Sequence, residues 1–184
     1  SSYMVPAYSF RTVKKDGNVT FSLNATYDGK KFNYNRTIDG VESSGTVDLG
    51  KAVTYYDNNE FHQSLRTITT FSESLSFSFA MPIVSNIEAS SVTLTARVGG
   101  KATIKNAFTE SRADFQDSGI SCYKTLVSRS TEVAGLSQTL FYSVNDVTFT
   151  GWSMKHVLVR IQEPFKVDGN IYSMVYDLKS AELH

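Results

Sequence analysis

The sequence predicts an all-β fold, mainly antiparallel, built as a β-sandwich or barrel with meander and hairpin connections and one or two short helices. Three observations carry this reading. Apolar and polar residues alternate along most of the chain, Asp-Gly dipeptides punctuate the alternation, and twelve Phe and ten Tyr stand against one Trp. Alternation of period two places one set of side chains on one face of a strand. Asp-Gly favours the positive backbone angles of a type I′ hairpin turn. Phe and Tyr fit pleated, half-buried surfaces.

Asp16-Gly17, Asp28-Gly29 and Asp39-Gly40 recur at spacings of 12 and 11 residues. Between them lie NVTFSLNATY, with Val19, Phe21, Leu23, Ala25 and Tyr27 on one parity, and KKFNYNRTI, with Phe32, Tyr34 and Ile38 on one parity. Alternating runs separated by turn dipeptides describe an antiparallel meander. GTVDLGKAVTYY follows as a further strand. NNEFHQSL then reads as a short helical turn capped by Asn58 or Asn59, with Phe61 and Leu65 facing the core.

The segment Leu65–Ile83 holds the strongest alternation: Leu75, Phe77, Phe79, Met81 and Ile83 against Ser74, Ser76, Ser78 and Ala80. Leu75, Phe77, Phe79 and Met81 are expected in the core. Pro82 sits near the strand end, where a missing amide donor is tolerated. After the loop VSNIEAS, Val92, Leu94, Ala96 and Val98 share a parity, and Gly99-Gly100 is expected to close that strand. TESRADFQDSG reads as a short helix stopped by Gly119. In STEVAGLSQTLFYS, a weak helical stripe joins Val133, Leu136 and Leu140. The remainder returns to strands: DVTFT, KHVLVRIQ, and the hairpin FKVDGNIYSMVYDL turning at Asp168-Gly169. Eight to eleven strands are expected.

The chain has 184 residues, only three prolines and no Pro/Gly/Ser-rich seam, so residues 1–184 read as a single β domain. Lys plus Arg and Asp plus Glu both number 18. That balance argues against nucleic acid as partner, which needs a basic excess, and places no long-range repulsion in the way of self-assembly. One cysteine, Cys122, precludes an intramolecular disulfide. No apolar run reaches the ~18 residues of a spanning helix. No signal peptide is visible, and the start SSYMVP suggests a processed or trimmed product.

Catalytic patterns are missing. His62 with Glu60 and Asp57 lacks metal-ligand spacing, and Asp57-Asn58-Asn59-Glu60 lacks the spacing of a calcium loop. Cys122 with His156 is the only cysteine–histidine combination worth naming, and it has no activating signature. Neither a G-x-S-x-G elbow nor a glycine-rich phosphate cradle occurs. The expected protein is not an enzyme and uses no metal or cofactor.

The function expected is that of a non-catalytic, surface-acting module. It would serve adhesion, receptor binding or assembly in a secreted, cell-surface or virion protein, with a protein or glycan partner or a homo-oligomer. Tyrosine recurs at such surfaces because it offers broad amphipathic contact at low entropic cost. Tyr34, Tyr55, Tyr56, Asp57, Asn58 and Asn59 are the exposed candidates. Asn18, Asn24 and Asn35 each begin an N-x-Thr sequon, a candidate glycan acceptor in a secreted protein. One alternative is a lipocalin-like carrier whose apolar strand faces enclose a small apolar ligand. A second is a β-hairpin pore former using Leu75–Val98, the one reading that involves membrane contact.

Overall fold

A computed structural model describes residues 6–50, 54–57, 61–66, 72, 74–105, 107, 118–129, 137–149 and 151–180. The fold is all-β and mainly antiparallel, with open sheets rather than a closed barrel. Twelve strands and one helix are described: β1 (Tyr8–Lys15), β2 (Asn18–Asp28), β3 (Lys31–Ile38), β4 (Val41–Asp48), α1 (Phe61–Leu65), β5 (Ser76–Val84), β6 (Ala89–Ile104), β7 (Ile120–Arg129), β8 (Gln138–Ser143), β9 (Val147–Phe149), β10 (Trp152–Met154), β11 (Leu158–Val167) and β12 (Asn170–Asp177). That is more than the eight to eleven the sequence predicts.

The strands form a four-stranded meander β1-β2-β3-β4, a two-stranded ribbon β10-β9, and a six-stranded sheet ordered β12-β11-β8-β7-β6-β5. The backbone clusters into two compact units: Ser2–Phe61 with Ser78–Leu94, and His62–Phe77 with Thr95–His184.

The first unit is the meander with its cover. Asp16, Gly17, Asp39 and Gly40 all have positive φ, the signature of the two predicted type I′ turns. The middle turn is shifted by one residue. Asp28 pairs with Lys31, so Gly29 and Lys30 form the loop, and only Gly29 there has positive φ, the pattern of a type II′ turn. The inward parity of β2 to β4 supplies Phe21, Leu23, Ala25, Phe32 and Val47, which pack with Leu49, Ala80 and Val84 into one buried cluster. Two arginines on that face reach across it. Arg11 donates to the Val84 carbonyl at 3.0 Å, and Arg36 donates to the Ser85 and Glu88 carbonyls. These charge-assisted bonds hold the β5–β6 loop on the meander.

Several strand boundaries depart from the alternation. The run GTVDLGKAVTYY is not one strand: β4 spans Val41–Asp48, and Tyr55 makes a single parallel bridge to Ala80. The Ala80 amide donates to the Thr54 carbonyl and its carbonyl accepts from the Tyr56 amide, each at 3.0 Å. Pro82 follows two residues on, with no amide to extend that bridge, and β5 is the last strand of its sheet. Phe79 and Met81 are buried as predicted, but Leu75 and Phe77 are only half-buried. Ser76 and Ser78 are exposed, whereas Phe79, Ala80, Met81 and Pro82 are all buried. The meander accounts for this: Ala80 and Val84, on the parity that the sequence reads as outward, pack into its buried cluster beside Tyr55, while Tyr56 lies edge-on against Phe79 on the other parity.

The second unit has its own buried cluster, drawn from Ile104, Ala107, Ile120, Cys122, Phe141, Val147, Phe149, Val157 and Val159. Gly99-Gly100 does not end β6. The strand runs through it to Ile104, with Gly100 at φ 114°. Glycine takes that angle without a Cβ clash, and the even parity is kept at Ala102 and Ile104. Leu140 lies in β8, not in a helix, paired with Thr125 of β7 and Ile161 of β11. The predicted helix over TESRADFQDSG lies outside the described residues except for Ser118 and Gly119, as do Val133 and Leu136. Helix α1 matches its prediction, with Phe61 and Leu65 both buried; the proposed caps Asn58 and Asn59 lie outside the described residues.

Candidate functional site

The most unusual surface is the hairpin β11–β12. Its turn is Asp168-Gly169, both at positive φ, so Val167 pairs with Asn170 and the register runs back to Arg160–Asp177. β8 pairs with β11 only between Leu158 and Gln162. Beyond that point, among the described residues, the two strands pair only with each other. All eight residues of β12 are exposed.

Register sorts the side chains into two faces. Phe165, Val167, Tyr172, Met174, Tyr176 and Leu178 share one face, each between 36% and 51% exposed. Phe165 and Tyr172 stack at 5.8 Å, and the Tyr176 hydroxyl meets the Met174 sulfur at 2.8 Å. The opposite face carries Ile171, Ser173, Val175 and Asp177. There Arg160 and Asp177 form a two-point ion pair at 2.5 and 2.8 Å, which closes the hairpin at its root. Contiguous exposed apolar patches are uncommon on soluble monomers.

β12 is also the terminal strand of its sheet. Soluble proteins usually blunt such an edge with lysine, proline or a bulge. NIYSMVYD contains none of these, and its single charge is already tied to Arg160. By its alternation β12 reads as an ordinary half-buried strand. The available signal is that Ile171 and Val175 break the alternation and put apolar side chains on the second face as well.

Beside the root of the hairpin lies a cleft of about 370 Å³. Met154, Val157, Leu158, Ile161, Tyr176 and Leu178 give it an apolar lining, and Gln63, Arg66 and Arg160 are its polar members. Burial holds the Arg66 guanidinium below its usual range. The hydrogen bond from Arg160 to Asp177 raises the Arg160 pKa.

The sequence-predicted recognition residues divide. Tyr56 and Asp57 are not exposed: they are 1% and 3% accessible. Tyr56 packs edge-on against Phe79 at 5.1 Å, and Asp57 accepts the Tyr27 hydroxyl at 2.8 Å. Tyr55 is half-buried and stacks on Tyr27 at 5.4 Å. The Tyr55–Asp57 stretch therefore clamps the meander unit and is not presented for contact. Tyr34 is half-buried over Gly45. Asn18, Asn24 and Asn35 are exposed, the last two opposite one another in register.

No family model, curated protein or solved structure matches this chain.

The chemistry-bearing side chains are placed as follows. Cys122 is fully buried, donates to the Ile120 carbonyl, and has its thiol pKa pushed up to about 12, mainly by burial. It stays protonated at neutral pH and offers no thiolate. His156 is not a strand residue; it lies in the bend before β11 at φ 46°, with Nδ1 3.2 Å from the Ser143 carbonyl. His62 hydrogen-bonds the Gln138 side chain at 3.1 Å, and its carbonyl accepts from Tyr142 at 2.7 Å. Among the described residues no three His, Cys, Asp or Glu side chains come close enough to hold a metal ion. No helix there is long and apolar enough to cross a membrane.

Proposed function

We propose that this chain is a non-catalytic β module that works through its surface, docking a protein partner on the β11–β12 hairpin. The carrying observation is that strand β12 is exposed along its whole length, with an apolar row on one face and Ile171 and Val175 exposed on the other. In a larger setting this is the work of an adhesion, receptor-binding or assembly module of a secreted, cell-surface or virion protein.

Magnitudes favour strand pairing over simple apolar contact. Covering a half-exposed large apolar side chain contributes about 1 kcal/mol, half of the ~1.5–3 kcal/mol for complete burial. Six such residues on one face give roughly 6 kcal/mol, while association costs ~4–15 kcal/mol in lost freedom. The apolar face alone is therefore marginal. A partner strand added to the open edge supplies main-chain hydrogen bonds as well, the β-augmentation mode.

The test is a Tyr172→Lys/Met174→Lys double variant. Both residues are exposed, so the fold is expected to survive, as judged by far-ultraviolet circular dichroism. Partner capture from the native source, or concentration-dependent sedimentation if the partner is a second copy, is expected to fall at least about tenfold, or ~1.4 kcal/mol. Unchanged capture and unchanged sedimentation by a folded variant would overturn the reading.

The cleft supports a second reading, a carrier of a small apolar or amphipathic ligand, because its volume falls within the range of about 300–1,000 Å³ of such sites. Native mass spectrometry of protein taken from its source separates the two: a co-purifying ligand released by Leu158→Trp supports the carrier.

A further inference from the structure

The outward face of the β1–β4 meander has a composition that solvation alone does not require. Its three central rows, set by register, are Ser22–Thr37–Glu42, Asn24–Asn35–Ser44 and Thr26–Asn33–Thr46. The rows hold amides and hydroxyls with one carboxylate, and neither lysine nor arginine. Beside them β1 places two exposed rings: Tyr8 opposite Thr26 and Phe10 opposite Asn24, at 52% and 61% exposure. A depression of about 520 Å³ lies between Phe10, Asn24, Asn35, Thr37, Glu42 and Ser44. A second, of about 450 Å³, continues over Asn33 and Thr46.

The ligand class follows from the groups. Each amide offers two N–H donors and a carbonyl acceptor in one plane, which matches a pair of neighbouring hydroxyls. Directly opposed residues in a sheet sit about 5 Å apart at Cβ, so Asn24 and Asn35 present two such planes side by side. Asn33 is engaged by Thr46 at 2.8 Å, but no hydrogen bond among the described residues occupies the Asn24 or Asn35 side chains. An exposed ring supplies an apolar platform for the C–H face of a pyranose. A phosphate-bearing ligand would need cations, which the rows lack. An apolar ligand would leave these polar groups desolvated and unpaired.

We propose that this face binds a neutral saccharide, with Phe10 as the stacking platform and Asn24 and Asn35 as paired amide clamps. Glu42, at the rim, accepts from a sugar hydroxyl. The site is independent of the hairpin. Because Asn24 and Asn35 also begin sequons, a covalent glycan on either would occupy the same face, so the experiment uses chain from a bacterial host without N-glycosylation.

The experiment titrates ¹⁵N-labelled protein with methyl pyranosides of glucose, galactose, mannose and N-acetylglucosamine, and with their disaccharides. The side-chain amide signals of Asn24 and Asn35 are followed. At least one saccharide is expected to shift both signals with a Kd of about 0.1–10 mM, the weak range suited to a shallow face. Phe10→Ala and Asn24→Ala/Asn35→Ala, the latter followed on backbone amides of β2 and β3, are each expected to raise Kd about tenfold or more. Val41→Ala, on the same sheet, should leave it unchanged. The proposal fails if no member of the panel moves these signals at about 50 mM, or if folded Phe10→Ala binds as tightly as the parent chain.

Discussion

Tyr34 and Gly45 face each other across β3 and β4, and a methyl group at position 45 would stand 2.7 Å from the Tyr34 hydroxyl oxygen and 3.0 Å from its ring carbon Cζ. The ring covers the glycine, a known device for supporting a bare strand position. Tyr34 thus spends its ring on its own sheet, which is why it is not the free recognition residue that its type suggests. Gly45→Ala is expected to lower stability by about 1–3 kcal/mol through overpacking, read as a shift in urea midpoint. In a Tyr34→Ala background the same substitution should cost far less, since the clash is gone. Equal costs in both backgrounds would show that the ring is not the cause. This pairing was within reach of the sequence. A two-residue turn at Asp39-Gly40 fixes the register, and counting back from it sets Tyr34 against Gly45.

At the scale of elements, turn chemistry carried more information than hydrophobic alternation. Three Asp-Gly turns fall where the dipeptides stand. The fourth slips by one residue to Gly29-Lys30, which moves every β2–β3 partner by two positions and so leaves the faces unchanged. A one-residue change of register would instead have turned the whole strand over. Where alternation failed, burial came from elements whose placement the sequence does not encode locally. The meander core covers Ala80 and Val84 on the supposed outer parity of β5, and all eight residues of β12 stay exposed. The saccharide face is legible only after register is known, since Phe10, Asn24, Asn35 and Ser44 are scattered in sequence. One substitution tests the turn argument. Gly40 has φ 84° with open space around its Cα, so Gly40→Ala is expected to cost about 1–2 kcal/mol from the left-handed backbone alone. Gly40→Asn should cost less, because asparagine tolerates that region. An alanine variant as stable as the parent chain would sink the assignment.

At the scale of the whole molecule, the half-buried His62 and the fully buried Cys122 set opposite limits on stability. Burial lowers the His62 pKa from its ordinary 6.5, with the Gln138 hydrogen bond and the Glu163 charge opposing. The folded state therefore favours neutral imidazole. Its contribution is present above pH 6.5 and is lost as pH falls through the depressed folded value, where the unfolded chain binds the proton more readily. Cys122 acts in the reverse sense. Burial raises its thiol from 9.0 to about 12, with the Arg160 charge opposing. Its contribution is full below pH 9 and is lost between pH 9 and 12, where only the unfolded chain ionises freely. With Lys plus Arg equal to Asp plus Glu at 18 each, net self-repulsion adds little near neutrality. Stability is expected to be highest between about pH 6.5 and 9 and to fall on both sides. Urea midpoints measured from pH 5 to 10.5 check this. Cys122→Ala should be less stable overall, losing buried contacts, yet show a flatter alkaline limb. His62→Gln should flatten the acid limb and leave the alkaline one unchanged. If Cys122→Ala keeps the parent slope between pH 9 and 10.5, the thiol is not the group that ends the stable range.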